Sequence, residues 1–182
     1  MNLLELTAYI PEPEGYADLP DFESDVWPLL RRKGQEIENL FLFINDNSRS
    51  LAWPGHFELV TRNILRIRSM DELTDRELDR LQVLSFYGGH LNVVYRVPAE
   101  SSLLLELCSM YPLVKLSSDD IDPLGLNQQS LSELGAFTAA LPKELLHFSF
   151  SHDADPLYVF GDLETLRDLL RRYYQARREH RN

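Results

Sequence analysis

Cysteine, glycine and lysine are scarce in this 182-residue sequence, and basic residues are missing from its first 30 positions. The single cysteine, Cys108, excludes an internal disulfide framework and any zinc site built on cysteine pairs. Its neighbourhood, Leu103-Leu104-Leu105-Glu106-Leu107-Cys108, is apolar, which suits a buried thiol rather than a reactive one. With 8 Gly and 10 Pro the chain is neither fibrous nor linker-like, and 44% hydrophobic residues are too many for a disordered polymer. No apolar run approaches the ~20 residues of a membrane span. The opening Met1-Asn2-Leu3-Leu4-Glu5 lacks the basic and apolar regions of a secretory leader, so cytoplasmic residence is the expectation. Phosphate-binding glycine loops, the G-x-S-x-G elbow, H-E-x-x-H and EF-hand loops are all missing, and no cofactor is expected.

What the sequence does have is acid. Eighteen Lys+Arg against 29 Asp+Glu leave a formal charge of −11, which argues against a polyanionic partner such as nucleic acid. The charge is uneven: residues 1–30 carry −7, 31–70 carry +3, 71–166 carry −11 and 167–182 carry +4. Residues 1–20 read as an acidic N-terminal arm. The six arginines of the last segment, with Tyr173 and Tyr174 among them, offer phosphate-gripping chemistry, although a helix C-terminus stabilises cations in any case.

Periodicity outlines one α/β (α+β) domain over 1–182, a mixed sheet with flanking helices. Leu3 to Ile10 reads as a strand, stopped by Pro11-Glu12-Pro13-Glu14-Gly15. Residues 21–45 show three- and four-residue apolar steps and read as helix in one or two pieces. Residues 57–68 lean toward strand. Thr74-Asp75-Arg76-Glu77 is a capping box opening a helix that Gly88-Gly89 closes. Strict alternation marks His90 to Val97 as a strand. A helix ended by Pro112 and a strand Leu113–Leu116 follow, making a βαβ crossover. Ser130 to Leu141 is helical, Leu145–Ser151 and Leu157–Phe160 form a hairpin, and Asp162 caps a last helix to about Arg178. A ferredoxin-like split βαβ is the expected core of the C-terminal half.

Three functional readings follow. The leading one is a stoichiometric binding protein, an inhibitor or immunity-type protein, that neutralises a basic partner such as a toxin or a nucleic-acid-binding enzyme. Its expected contact residues are the acids Asp119, Asp120, Asp122, Asp153 and Asp155 with Trp27 and Trp53, because aromatics ringed by charge make interface anchors. The second is a small hydrolase or metal-dependent enzyme around His147, His152, Asp153 and Asp155. There His152, Asp153 and Asp155 are the candidate metal ligands, although His147 and His152, five apart, point to opposite faces of an extended strand. The third is a scaffold or regulatory domain that forms a homodimer through its sheet or its C-terminal helix.

Overall fold

The six residues Asn39–Ile44 carry no charge, and four of them, Leu40 to Phe43, are buried, two toward each face of a sheet. That strand lies inside the eight-stranded sheet around which the computed structural model of this single α/β domain is built. The structure describes residues 1–10, 15–16, 20–44, 57–87, 91–118, 124, 128–151 and 154–181.

In chain order the strands are β1 (Leu3–Thr7), β2 (Tyr9–Ile10), β3 (Gly15–Tyr16), β4 (Asn39–Ile44), β5 (Phe57–Thr61), β6 (Ile64–Ile67), β7 (Leu91–Pro98), β8 (Leu113–Ser117), β9 (Leu145–Phe150) and β10 (Leu157–Phe160). The helices are α1 (Trp27–Arg32), α2 (Asp75–Tyr87), α3 (Ser102–Ser109), α4 (Gln128–Ala139) and α5 (Leu163–His180). The large sheet runs β5-β6-β4-β7-β9-β10-β1-β8 with every neighbouring pair antiparallel, and β2 and β3 pair separately. β7 and β8 therefore point the same way, joined by α3, but β9, β10 and β1 stand between them. The split βαβ is present, with three strands in the split rather than the ferredoxin-like arrangement.

Most expected elements form where periodicity placed them. The exception is residues 21–45. A widened helical turn at Phe22–Val26 and α1 take up the first part, but the expected helix does not continue: Leu40, Phe41 and Ile44 belong to β4. A strand buried on both faces shows no polar alternation, so its apolar steps imitated a helix. Residues 57–68 fold as the β5–β6 hairpin. The proposed glycine closure at 88–89 lies outside the described residues.

The two faces of the sheet are covered unequally. Leu42, Val93, Tyr95, Leu146, Phe148 and Val159 meet α1, α2, α3 and α5 through Leu30, Leu81, Leu104 and Leu169. Tyr95 stacks on its cross-strand partner Phe148 with ring centroids 4.8 Å apart, and its hydroxyl shares a hydrogen bond with Ser85 of α2. The opposite face, with Leu3, Phe41, Phe43, Val94 and Phe160, is covered by α4 through Leu131, Leu134 and Phe137, together with Leu124.

Local capping fixes the helices as the sequence indicates. Thr74 and Glu77 exchange the capping-box bonds of α2, and Asp162 accepts the N–H groups of Glu164 and Thr165 at the start of α5. α3 is also held from a distance. Glu36 accepts from the hydroxyls of Ser101 and Ser102 at 2.7 Å each and from the Leu103 N–H at 3.1 Å. Burial pushes the Glu36 carboxyl up, but the bonds from Ser101, Leu103 and Ser102 and the charge of Lys33 outweigh it and hold the group at about 2. A depressed carboxyl stabilises the fold above its unfolded value near 4.5, and that contribution disappears as pH falls toward 2. Glu36→Gln is expected to cost about 1 kcal/mol at neutral pH, as for loss of a cap. Thermal melts from pH 5 to pH 2 should fall less steeply for the variant than for the parent.

Candidate functional site

Strand parity places His147 and Ser149 on the α4 side of β9, opposite Phe148 and Phe150. The same face of the sheet carries Asn92 and Arg96 of β7, and Asn92, Ser117, His147 and Ser149 are all buried in this layer. Ser149 donates to the Val93 carbonyl at 2.7 Å, and the Asn92 amide reaches the Leu124 carbonyl at 3.4 Å.

The centre of the layer is a cross-strand pair. Arg96 and His147 face each other in the β7–β9 register, and Arg96 Nε donates to His147 Nε2 at 3.0 Å. The Arg96 guanidinium lies 4.7 Å from the Phe41 ring centre and 5.0 Å from that of Phe137. Phe137 in turn lies flat on the imidazole, 5.1 Å between centroids and 5° between planes. Because Nε2 accepts, Nδ1 carries the proton of the neutral ring, and Nδ1 is buried with no partner among the described residues. Burial first, and the Arg96 charge second, lower the His147 pKa to about 3. The ring is neutral at physiological pH, and its acceptor nitrogen is already engaged.

The other sequence-derived candidates are distributed as follows. Asp155 accepts from the Thr7 hydroxyl at 2.8 Å and the Ala8 N–H at 3.2 Å, tying the turn before β10 to the end of β1. Trp27 is 6% exposed and packs against Phe22 in the core under α1, α2, α3 and α5. Asp119, Asp120, Asp122, His152, Asp153 and Trp53 lie outside the described residues. Among the described residues no group of three or more His, Cys, Asp or Glu is placed to hold a metal ion. Cys108 is buried, and burial pushes its thiol up to about 12, in line with a structural thiol.

The arginines of α5 are mostly occupied. Arg167 and Arg171 pair with Glu164 and Asp168, Arg172 reaches the Ala99 carbonyl, and Arg177 donates to the Tyr111 and Pro112 carbonyls at 3.0 and 2.6 Å. These last two bonds tie α5 to the short segment between α3 and β8. Among the described residues no helix is long and apolar enough to cross a membrane.

The Arg96–His147 pair escaped the sequence reading because its members are 51 residues apart. The alternation of 145–151 did signal that His147 and Phe148 face opposite ways, but not that Phe137 of α4 would cover the imidazole. In comparisons with known proteins, no family model, no curated protein and no solved structure matches this chain.

Two outcomes follow. A histidine with a lowered pKa stabilises the fold above its unfolded value near 6.5, and that contribution declines as pH falls from 6.5 toward 3, because the unfolded chain takes up a proton that the native ring refuses. Stability should fall by about 1.4 kcal/mol per pH unit from this group over that window. His147→Gln should flatten the profile there, and the native imidazole should show no NMR titration between pH 5 and 8. Cys108 should resist iodoacetamide in the native protein and react once denaturant unfolds it.

Proposed function

We propose that this protein is a stoichiometric binding module, of inhibitor or immunity type, that presents an acidic surface to a basic protein partner. The observation that carries this reading is an exposed stripe along α2: Asp75, Asp79 and Val83 recur every four residues, and Asp71 stands just before the helix. These carboxylates have no ion pair among the described residues, and Val83 is 53% exposed, an apolar anchor beside the charge.

Pairing elsewhere reinforces the field of that stripe. Arg32 and Lys33 are taken up by Glu106, Arg66 by Glu58, Arg68 by Glu72 and Arg172 by Glu100. Such exposed pairs add little stability. They do form short dipoles whose fields fade quickly, whereas unpaired carboxylates project across the ~8 Å Debye length of physiological salt. The surplus of −11 therefore acts at a distance and would steer a cationic protein toward the stripe. The acids at 119–122 and Asp153 extend the same chemistry in sequence.

The hydrolytic alternative around residues 147–155 has less support. His147 is neutral, buried and already accepts from Arg96 at the nitrogen a general base needs, while Ser149 and Asp155 are engaged with backbone and with β1.

The test is affinity capture from lysate at low ionic strength with the parent protein and an Asp75→Lys/Asp79→Lys variant. The expected result is a basic protein held by the parent, released as salt rises, and bound by the variant at least about tenfold more weakly. Capture that is insensitive both to salt and to charge reversal would overturn the proposal.

A further inference from the structure

The large sheet ends at β5 on one side and at β8 on the other, and an outermost strand leaves backbone N–H and C=O groups on its free side without a ladder. The two edges differ in what guards them. β8 carries Lys115, exposed, at its middle, opposite Glu5 of β1. A lysine on an edge strand discourages pairing with another chain. β5, Phe57-Glu58-Leu59-Val60-Thr61, has neither lysine nor proline.

β5 is also where apolar surface collects. Leu59 is 65% exposed and Val60 41%, so two of the four large apolar side chains exposed among the described residues are neighbours on this one edge. Leu59 stands opposite Leu65, which is buried in the core beneath α1, α2, α3 and α5, while Leu59 itself stays open to solvent. A bulge leaves Val60 with no partner on β6. Opposite charges flank Val60 at equal spacing. Glu58, two residues before it, pairs with Arg66 and keeps a side chain 63% exposed. Arg62, two residues after it, is exposed at the hairpin turn and has no ion pair among the described residues.

We propose that β5 is the contact through which two copies of this chain associate, edge to edge and antiparallel, about a twofold axis at Val60. In that register Val60 meets its own counterpart, Leu59 of each copy stands opposite Thr61 of the other, and Glu58 of each copy stands opposite Arg62 of the other. The symmetric spacing of opposite charges selects a second copy as the occupant. A uniformly basic strand would be repelled by Arg62 and a uniformly acidic one by Glu58, whereas an antiparallel copy answers both at once. Backbone ladder bonds supply the attraction, and Leu59 and Val60 lose solvent on both sides of the axis. A strand of five residues makes a contact below the standard interface size, so the dimer is reversible and dissociates on dilution.

The experiment is sedimentation velocity of the whole chain from low micromolar to near-millimolar concentration. The mass of the parent should rise with concentration from that of one chain toward that of two. Leu59→Lys/Val60→Lys replaces two exposed side chains, and this variant should melt as the parent does and remain monomeric throughout. Arg62→Glu and Glu58→Lys each set like charges against one another at both ends of the contact. Each should self-associate at least about tenfold more weakly than the parent. Loss of the exposed Glu58–Arg66 pair costs little stability, so the second variant should also keep its fold. An equal mixture of these two variants should regain association, because Glu58 of one meets Arg62 of the other and the introduced glutamate meets the introduced lysine. The proposal is overturned if the parent is monomeric at every concentration, if Leu59→Lys/Val60→Lys associates as the parent does, or if the mixture associates no better than either variant alone.

Discussion

Burial of the sheet from both sides is the constraint on which the rest of this structure depends. β4 carries Leu40 and Leu42 toward one layer and Phe41 and Phe43 toward the other, so neither layer forms its core without it. Fully burying a side chain of this size stabilises by roughly 1.5–3 kcal/mol. A strand buried on both faces has no solvent side on which to place charge, and the charges are displaced to its neighbours. Arg66 of β6 meets Glu58 of β5 at the edge, and Arg96 of β7 turns into the aromatic layer.

Arg96 shows how a charge is kept beside such a core. Burial works against its protonated form and Glu38 supports it. Phe41 and Phe137 offer their ring faces to the guanidinium, and His147 offers a lone pair. The histidine is thereby fixed as a neutral acceptor. A residue type that commonly does acid–base work is here a strut between two strands, stacked under the helix that covers them. Among the described residues its Nδ1 and the Thr138 hydroxyl are buried without hydrogen-bond partners in the α4 layer, and Arg172 Nε is a third such atom, on α5.

Legibility in the sequence followed the range of the interactions. Local signals transferred intact: the alternation of β7, the Thr74–Glu77 box, the Asp162 cap and the β9–β10 hairpin all depend on residues a few positions apart. β4 was misread because alternation exists only when one face is polar. The widening of the split βαβ was hidden because β1, from the N-terminus, enters between β10 and β8, a pairing with no local trace. The same limit applies to the site. The acidic surplus and the opposed faces of His147 and Phe148 were readable, whereas the role of Trp27 as a core residue and of Arg177 as the tie between α5 and the segment before β8 depended on partners far away in sequence.

The two layers are fastened to the sheet in different ways. α2 is fastened to the sheet by Leu78 and Leu81, by the Ser85–Tyr95 bond and by Phe86 against Phe22. A stripe on its outer side is thus held on a rigid support, as a surface that must meet another folded protein requires. α4 is held by three apolar side chains, by Ser130 on the Ile44 carbonyl, and by Glu133 accepting from Thr61 and Asn63. Its underside is apolar: Leu131, Leu134 and Phe137 pack on the sheet, and Phe137 meets Phe41, Phe43 and His147. α2 and α4 thus cover opposite faces of one sheet without sharing a core cluster, so each layer is built on its own side of β4.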